Sequence, residues 1–404
     1  MWNLSEGNYT LRIHTWMFTW NPALLRCSSR FILRAMSDGF STWLEIDLEA
    51  IRNNIRLLHR LTQTPVMAIV KANGYGHGAI ETARAAIEAG AEWCGVARFE
   101  EAIALRKAGL DCHLLVMGYT PPACLAEAIA EKISLTIYDL ALGEVYPHLL
   151  PKSSEPLRVH VKVDTGMGRL GIKPEEALSL VEKLSRQPGF LVEGLCTHFS
   201  KADETDRSFT LRQLSKFNPL VAELEKRGLR PAVIHAANSA AAVQYPESRF
   251  DLIRPGIAIY GLNPSSAAPL PEGFLPSLTW KARLTSKKVL PPGHSISYGG
   301  IYTTSTEEQI GVVPVGYADG FRRVAGEQVL LRGRRVDVVG RVCMDQCMVQ
   351  LSDLPDAQIG DEVILLGSQG SERISAEEIA RRWETINYEV VCGLSNRLPR
   401  IYLG

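Results

Sequence analysis

Lys71 is the residue of this sequence whose setting points most directly to chemistry. It follows the apolar run Met-Ala-Ile-Val and precedes Ala-Asn-Gly-Tyr-Gly-His-Gly, so its ammonium group would lie at the end of a buried strand. Partial burial disfavours the charged form of a lysine and makes the amine nucleophilic, as Schiff-base formation requires. A surface lysine in a flexible glycine-rich loop is the alternative, and spacing alone leaves both interpretations open.

Polar residues also follow two later apolar runs. Lys162 and Asp164 end one run, and Arg169 follows them in a glycine-containing loop. A guanidinium there would bind a carboxylate through two hydrogen bonds. His198 ends the next run, although a single histidine in such a place is more often structural.

Two further segments have the composition of a phosphate-binding site. Asn238 and Ser239 precede three alanines, which predicts a helix N-terminus with a hydroxyl at its cap. Arg254 and Gly256 follow the last apolar run, and a glycine there would let a ligand approach the backbone. A plain turn at Pro255 is the alternative. If all these segments end strands of one barrel, their polar residues meet on one face.

The elements that must position these residues alternate in type along the first two thirds of the chain. Eight apolar runs are joined by segments with helical periodicity. The runs are 66–71, 93–97, 113–117, 133–137, 158–164, 191–197, 232–236 and 251–254, and the helical segments include 48–61, 79–89, 98–108, 174–186 and 207–227. This alternation predicts an α/β fold, a parallel (β/α)₈ TIM-like barrel. A doubly wound sheet is the alternative, but its Gly-x-Gly-x-x-Gly turn is missing.

From residue 276 the pattern changes to strand-like runs separated by glycine and proline turns. They are 278–290, 309–315, 328–339, 342–350 and 362–366, and a single helix is predicted over 376–384. Ser375 and Glu378 form a capping box at the start of that helix. The sequence therefore predicts a barrel over 41–275 and a C-terminal, mainly β domain over 276–404.

Residues 1–40 differ from the rest of the chain in composition. They hold four arginines, no lysine and two acidic residues, which is typical of an organelle transit peptide. A translation start at Met36 is the alternative explanation. No regular hydrophobic period runs through the segment, so we expect a disordered extension.

The overall composition excludes several classes of protein. Lys+Arg and Asp+Glu both number 44, so the chain lacks the basic field of a nucleic-acid-binding protein. No apolar run approaches the roughly 18 residues of a membrane helix. The eight cysteines show neither Cys-x-x-Cys spacing nor a zinc set. We therefore expect reduced thiols in a cytoplasmic protein that binds no metal, no nucleic acid and no membrane.

A series of motifs resembles the bacterial alanine racemases, which use pyridoxal phosphate. The motifs are Ala68-Ile-Val-Lys71-Ala-Asn-Gly-Tyr75-Gly-His-Gly, His198-Phe-Ser, Asn238-Ser239, Ile253-Arg254-Pro-Gly256, Ser297-Tyr298-Gly-Gly, Val315-Gly-Tyr317-Ala-Asp-Gly, Gly340-Arg-Val-Cys-Met344-Asp345-Gln, Asn387-Tyr388-Glu and Pro399-Arg-Ile-Tyr. The resemblance covers about residues 42–404. It is highly specific, because many separate motifs agree in order and spacing.

The resemblance implies a homodimer that interconverts L-alanine and D-alanine with pyridoxal 5'-phosphate and supplies D-alanine for peptidoglycan. It implies that Lys71 carries the cofactor, and that Lys71 and the partner subunit's Tyr298 act as two bases on opposite faces of the substrate. The other implied roles are cofactor binding by Tyr75, His198, Ser239, Arg254, Gly256, Ile257 and Tyr388, substrate binding by Arg169 and Met344, and support by Lys162 and Asp345. In some family members the lysine at the position of Lys162 is carbamylated.

Three other functions stay open at the level of sequence. A racemase of the same fold for serine or several amino acids would differ in pocket volume. A single-barrel pyridoxal-phosphate carrier would need no second domain. A metal-dependent barrel hydrolase would use His198 and His235, but no third ligand has convincing spacing.

Overall fold

The structure of the protein is a computed structural model that describes residues 39–151 and 155–404. All but the last two residues of the predicted extension over 1–40 lie outside the described residues, so its disorder stays a prediction. From Ser41 to Gly404 the chain forms one compact unit. Within the described part of the chain, none of the helices combines the length and apolar character needed to cross a membrane. The seven cysteines in that part are free thiols.

The barrel follows a first strand, β1 (Thr42–Asp47), that pairs elsewhere. The barrel strands are β2 (Met67–Ile69), β3 (Trp93–Val96), β4 (His113–Val116), β5 (Ile133–Ile137), β6 (Leu157–Lys162), β7 (Phe190–Cys196) and β8 (Val233–His235). They pair in chain order and in parallel. Helix α1 (Leu48–Thr62) precedes them, and the longer helices between and after them are α2 (Ala79–Glu88), α3 (Phe99–Lys107), α4 (Leu125–Ala130), α5 (Leu140–Leu149), α6 (Pro174–Arg186), α7 (Ser208–Lys226) and α8 (Ser239–Gln244).

Helix α1 illustrates why these segments fold as the periodicity predicts. Asp47 caps the helix by accepting a hydrogen bond from the backbone N of Ala50 at 2.9 Å. Ile51, Ile55 and Leu58 recur at helical spacing and are fully buried against the barrel. Burying each of them contributes about 1.5–3 kcal/mol relative to leaving it exposed.

The eighth predicted run, 251–254, completes the ring without forming a regular strand. Asp251 N donates to Ile234 O at 3.0 Å on one side, and Met67 N donates to Ile253 O at 2.8 Å on the other. Pro255 has no N–H and cannot extend a hydrogen-bonded ladder. The segment nevertheless closes the ring between β8 and β2, and the predicted barrel is confirmed.

The second sheet is mainly antiparallel. Its further strands are β9 (Leu278–Arg283), β10 (Ser286–Leu290), β13 (Glu308–Val313), β14 (Gln328–Leu331), β15 (Arg334–Val339), β16 (Cys347–Gln350), β17 (Glu362–Gln369), β18 (Glu372–Ile374) and β19 (Arg400–Leu403), and a separate hairpin is formed by β11 (Ser295–Ile296) and β12 (Tyr302–Thr303). The order is β10-β13-β16-β15-β14-β17-β9-β1-β19, with β18 on β17. Strand β1 thus joins this sheet rather than the barrel. The prediction that the C-terminal part of the chain, 276–404, is mainly β is confirmed.

Two α-helices lie in this C-terminal part of the chain, where the sequence predicted one. The predicted helix is α9 (Ala376–Arg382), and Ser375 Oγ caps it by accepting a hydrogen bond from Glu378 N at 3.1 Å. The expectation of a single helix is wrong, because α10 (Asn387–Cys392) follows. Six residues are too few to show a helical hydrophobic period.

Candidate active site

A cavity of about 570 Å³ opens at the C-terminal ends of the barrel strands. Ten of the residues predicted for the site line it: Lys71, Tyr75, Lys162, Arg169, His198, Ser239, Arg254, Gly256, Ile257 and Tyr388. Residues that are up to about 300 positions apart in the chain therefore share one space. Such convergence at the strand ends is what a barrel enzyme needs.

Lys71 begins a strained turn after β2. Ala72, Asn73 and Gly74 all have left-handed backbone angles, with φ of 53°, 53° and 61°. Left-handed helical backbone costs a residue with a side chain about 1–2 kcal/mol, so surrounding contacts must hold it. One such contact comes from Glu101 of α3, whose carboxylate accepts the N–H of Ala72 at 2.7 Å.

The amine of Lys71 is in a setting that favours its neutral form. Burial lowers the pKa of Lys71, and the nearby positive charge of Arg169 lowers it further. A neutral amine can attack a carbonyl carbon or accept a proton, whereas an ammonium can do neither.

One end of the cavity is built to hold an anion. Ser239 Oγ accepts hydrogen bonds from the backbone N–H groups of Gly256, at 2.9 Å, and Ala258, at 3.3 Å. Its hydroxyl proton is therefore directed to another acceptor. The cap of α8 is the side chain of Asn238, which accepts from Ala241 N at 3.0 Å. The predicted hydroxyl cap is thus wrong, although Ser239 does line the cavity.

Two tyrosines stand at the same end. Burial raises the pKa of both Tyr75 and Tyr388, so both hydroxyls stay protonated and can donate at neutral pH. Gly256 is required here, because a Cβ at this position would lie 2.3 Å from Tyr75 Oη. Hydroxyl donors beside a helix N-terminus suit a phosphate group.

Arg254 also lines the cavity, and its guanidinium is fixed by several acceptors. Nη1 donates to His235 Nδ1 at 2.7 Å, and Nη2 donates to Thr197 O at 2.7 Å. Nη2 also lies 3.3 Å from His198 Nδ1. Burial holds the pKa of both histidines well below the usual range, and the charge of Arg254 lowers both further. The two histidines are therefore neutral acceptors for one cation.

Lys162 and Arg169 lie along one wall of the cavity. Lys162 is buried, and burial is the main reason that its pKa is lowered, with a further decrease from the charges of Arg254 and Arg169. Asp164 receives the N–H groups of Gly166, Met167 and Gly168. Burial would raise the pKa of Asp164, but these hydrogen bonds lower it. Asp164 therefore shapes the loop that carries Arg169.

Three predicted site residues do not reach this cavity within one chain. Tyr298 and Met344 lie in the C-terminal part of the chain, and their side chains are 69% and 53% exposed. Asp345, next to Met344, accepts a hydrogen bond from Arg397 Nη2 at 2.8 Å, and Arg397 Nε donates to Asp319 at 2.7 Å. The segment around Met344 is thus held in place but faces solvent.

Sequence reasoning missed two residues that shape the site. Glu101 gave no signal, because a glutamate in the first turn of a helix is ordinary. His235 was considered only as a metal ligand, whereas it accepts a hydrogen bond from Arg254. Its position at the end of a barrel strand was the signal that could have found it.

Comparison with known proteins agrees with this geometry. The family model described as alanine racemase, N-terminal domain, matches residues 46–264, and the one described as alanine racemase, C-terminal domain, matches residues 277–402. An alanine racemase of Symbiobacterium thermophilum is 48% identical over 366 residues, which cover 90% of this chain and 97% of that protein.

Solved structures give the same result. The alanine racemase of E. faecalis superposes with a TM-score of 0.86 and 42% identity, covering 90% of this chain and 98% of that one. A histidine racemase from Leuconostoc mesenteroides has a TM-score of 0.84 and 28% identity, covering 90% and 98%. The fold and the site define a barrel-type amino-acid racemase. The chain belongs to the alanine racemase family.

Proposed function

We propose that the protein is an alanine racemase that interconverts L-alanine and D-alanine with pyridoxal 5'-phosphate. The observation that carries this proposal is the cavity, which Lys71 lines together with the hydroxyl groups of Ser239, Tyr75 and Tyr388 and the guanidinium of Arg254. The family membership supports the same activity, since the relatives named above are alanine racemases.

The residues of the cavity fit pyridoxal phosphate. Ser239, Tyr75 and Tyr388 would hold the phosphate, together with the backbone at Gly256 and Ile257. Arg254 would face the ring nitrogen and leave it unprotonated, because a guanidinium does not give up its proton. When bound, the cofactor supplies a conjugated ring that withdraws electrons from the α-carbon of the substrate.

The chain's own residues then move the proton. Lys71 would carry the cofactor, and once the amino group of the substrate has displaced it, Lys71 as a neutral amine accepts the α-proton on one face of the substrate. Arg169 holds the substrate carboxylate, with the backbone N–H of Met344 of the partner subunit as a second donor. The partner subunit's Tyr298 delivers a proton to the opposite face, supported by His198. Removal on one face and delivery on the other invert the α-carbon.

A homodimer with shared active sites follows from this assignment. Tyr298 and Met344 lie on an exposed surface rather than at the cavity of their own chain. A two-fold dimer would bring that surface of one chain to the cavity of the other.

Lys162 is proposed to be carbamylated. A carbamate would replace a buried positive charge beside Arg169 with a negative one that orients the guanidinium. Carbon-13 NMR after labelled bicarbonate should show a carbamate signal that Lys162→Ala removes. A wild-type spectrum with no such signal counts against the modification.

The cellular setting is inferred from the same resemblance. We infer a cytoplasmic enzyme that supplies D-alanine for peptidoglycan. Its proposed organisation is a barrel over 41–275, a β domain over 276–404 and an extension over 1–40.

A panel of substrates tests the function. Racemisation of L-alanine, L-serine, L-histidine, L-lysine and L-arginine should be measured with the purified holoenzyme. We expect kcat/KM to be highest for alanine and the protein to be yellow, with a visible band that borohydride removes. A higher kcat/KM for serine would favour the alternative racemase of the same fold, and a colourless protein that gains no band with the cofactor would exclude both.

A further inference from the structure

The interior of the barrel holds a row of buried polar side chains, and beyond its first member, Arg254, the proposed function gives them no role. It starts at Arg254 and runs through His235 of β8 and His160 of β6 to Glu193 of β7. His160 and His235 have no exposed surface, and Glu193 is 7% exposed. The hydrogen bonds between the histidines and from His160 Nε2 to Glu193 measure 2.8 Å and 3.2 Å.

The chemistry of the end groups fixes the direction of every hydrogen bond in this row. Arg254 can only donate, so His235 Nδ1 must accept and the proton of this neutral ring lies on Nε2. His235 Nε2 then donates to His160 Nδ1, which leaves the proton of His160 on its Nε2. That proton points to Glu193. The row thus joins a buried cation to a buried carboxylate through two neutral rings.

Glu193 is the acceptor at the far end of the row, and it favours the same direction as Arg254. Burial would raise its pKa, but hydrogen bonds from His160, Ser134 and Arg158 lower the pKa of Glu193 to about 2. Arg158 Nη1 donates to Oε1 at 2.9 Å, and Ser134 Oγ donates to Oε2. An ionised carboxylate has no proton to donate, so the reverse order of tautomers has no donor at this end.

The local backbone is shaped around the ring of His160. The pairing of β6 with β7 shifts by one residue between Val159 and His160. The residue opposite the ring is Gly194, and a Cβ there would lie 2.2 Å from His160 Nδ1. Glu193 and Gly194 are neighbours, so one short segment supplies both the space for the ring and the carboxylate that it meets.

We propose that Glu193 is a positioning residue for Arg254, acting through His160 and His235. Its charge supports, from the far end of the row, the two histidine tautomers in which His235 Nδ1 presents a lone pair to the guanidinium. If the row reversed, an N–H of His235 would face an N–H of Arg254 and this anchor would be lost. The consequence for the cofactor ring, which Arg254 would face, rests on the proposed function, whereas the histidine tautomers do not.

The direct test is the protonation of the two rings, measured by nitrogen-15 NMR on protein labelled at its histidine nitrogens. In the wild type, we expect Nδ1 without a proton and Nε2 with one at both His160 and His235. In Glu193→Gln the single amide oxygen faces either His160 or Arg158, so we expect mixed tautomers at both rings. Wild-type ring protonation in a folded Glu193→Gln protein would overturn the proposal.

The holoenzyme gives a second readout. The visible band of the bound cofactor should shift in Glu193→Gln, and kcat should fall about tenfold while KM for alanine stays unchanged. The matched control is Glu327→Gln, which neutralises another buried carboxylate. Glu327 lies in the C-terminal part of the chain, where it accepts a hydrogen bond from Trp383 Nε1. This control should leave the band, kcat and both tautomers unchanged, and an equal effect of both variants would contradict a specific role.

A pair of variants at His160 covers the case in which Glu193→Gln does not fold. Glutamine at this position can accept from His235 with its oxygen and donate to Glu193 with its nitrogen, whereas leucine can do neither. We expect His160→Gln to keep the His235 tautomer and the cofactor band and His160→Leu to lose them. Identical behaviour of the two variants would overturn the proposal.

These readouts separate this inference from the proposed function. If the protein racemises no alanine and yet the tautomers respond to Glu193→Gln, the proposed function fails and the anchoring of Arg254 stands. If alanine is racemised and the tautomers do not respond, only the role of Glu193 is refuted.

Discussion

The mouth of the barrel and the exposed surface around Tyr298 differ in how complete they are within one chain. The barrel mouth encloses a cavity of about 570 Å³, in which hydrogen bonds join Arg254 to the carbonyl of Thr197 and Ser239 to the backbone N–H of Gly256. The surface around Tyr298 and Met344 has aromatic and aliphatic side chains of the same motif set, but they are more than half exposed.

The two halves of the proposed site are therefore built in different ways. The half proposed to bind the cofactor is assembled by the fold of a single chain, because the ends of seven parallel strands and the segment 251–254 meet at one mouth. The proposed second base, Tyr298, lies on an exposed surface, so under the shared-site hypothesis its geometry toward a substrate would depend on a second copy of the chain. A substitution in the barrel mouth should therefore impair the site of its own chain, and a substitution at Tyr298 should impair the site of the partner chain.

The largest effect is expected for Lys71→Ala. Because Lys71 is proposed both to carry the cofactor and to move the proton, racemisation and the borohydride-sensitive band should be lost together. The control is Lys183→Ala, a lysine on α6 whose half-exposed side chain pairs with Glu144 at 3.5 Å. It should behave as the wild type, and retention of the band in Lys71→Ala would contradict the cofactor assignment.

Mixing two inactive homodimers tests whether Tyr298 completes the cavity of the other chain. Lys71→Ala and Tyr298→Ala proteins, unfolded together and refolded, should give hybrids as about half of the dimers. Each hybrid has one site with both bases intact and one site with neither. Activity should therefore recover to about a quarter of that of the wild type.

The outcome of this mixing separates the two arrangements of Tyr298. If Tyr298 serves the cavity of its own chain, every site lacks one base and the mixture stays inactive. Inactivity despite hybrids confirmed by native mass spectrometry would overturn the shared-site hypothesis.

A smaller effect is expected for Arg169→Ala. Loss of one charge-assisted hydrogen bond costs about 1.5–3 kcal/mol, which is roughly a ten- to hundredfold decrease in kcat/KM. Steady-state kinetics with L-alanine measure it. The cofactor band should be retained, and an unchanged kcat/KM would contradict the carboxylate-binding role.

The last prediction concerns the stability of the folded chain in acid rather than its activity. Burial lowers the pKa of His77 from 6.5 to about 4, so between these values the unfolded chain binds a proton that the folded chain does not. Stability therefore falls as the pH falls through this window, by at most about 3 kcal/mol from this residue. Denaturant unfolding of His77→Gln should show a shallower decrease than the wild type.

The control for this acid effect is His148→Gln, which changes an exposed histidine on α5. The free energy of unfolding of both variants should be measured over the same pH range as that of the wild type. The same pH dependence in His77→Gln as in the wild type would contradict the assignment.

Much of the fold was predictable because it follows from local patterns. The barrel strands and helices such as α1 show the hydrophobic periods of their type, and each polar strand end was visible as a residue type after an apolar run. The pairing of β1 with β9 and β19 was not visible, because a single strand carries no information on its distant partner. Helix α10 is too short for a period.

By itself, the sequence determined the fold class, the family resemblance and the residue types available for chemistry. It could even have indicated the polar interior, since Arg158, His160 and Lys162 alternate with valines along β6 and so share one face. Only the tertiary structure decided which groups meet: Ser239 with the N–H of Gly256, and Arg254 with two neutral histidines. The physical reason is that hydrogen bonds act over about 3 Å, whereas hydrophobic periodicity records only which face of an element is buried.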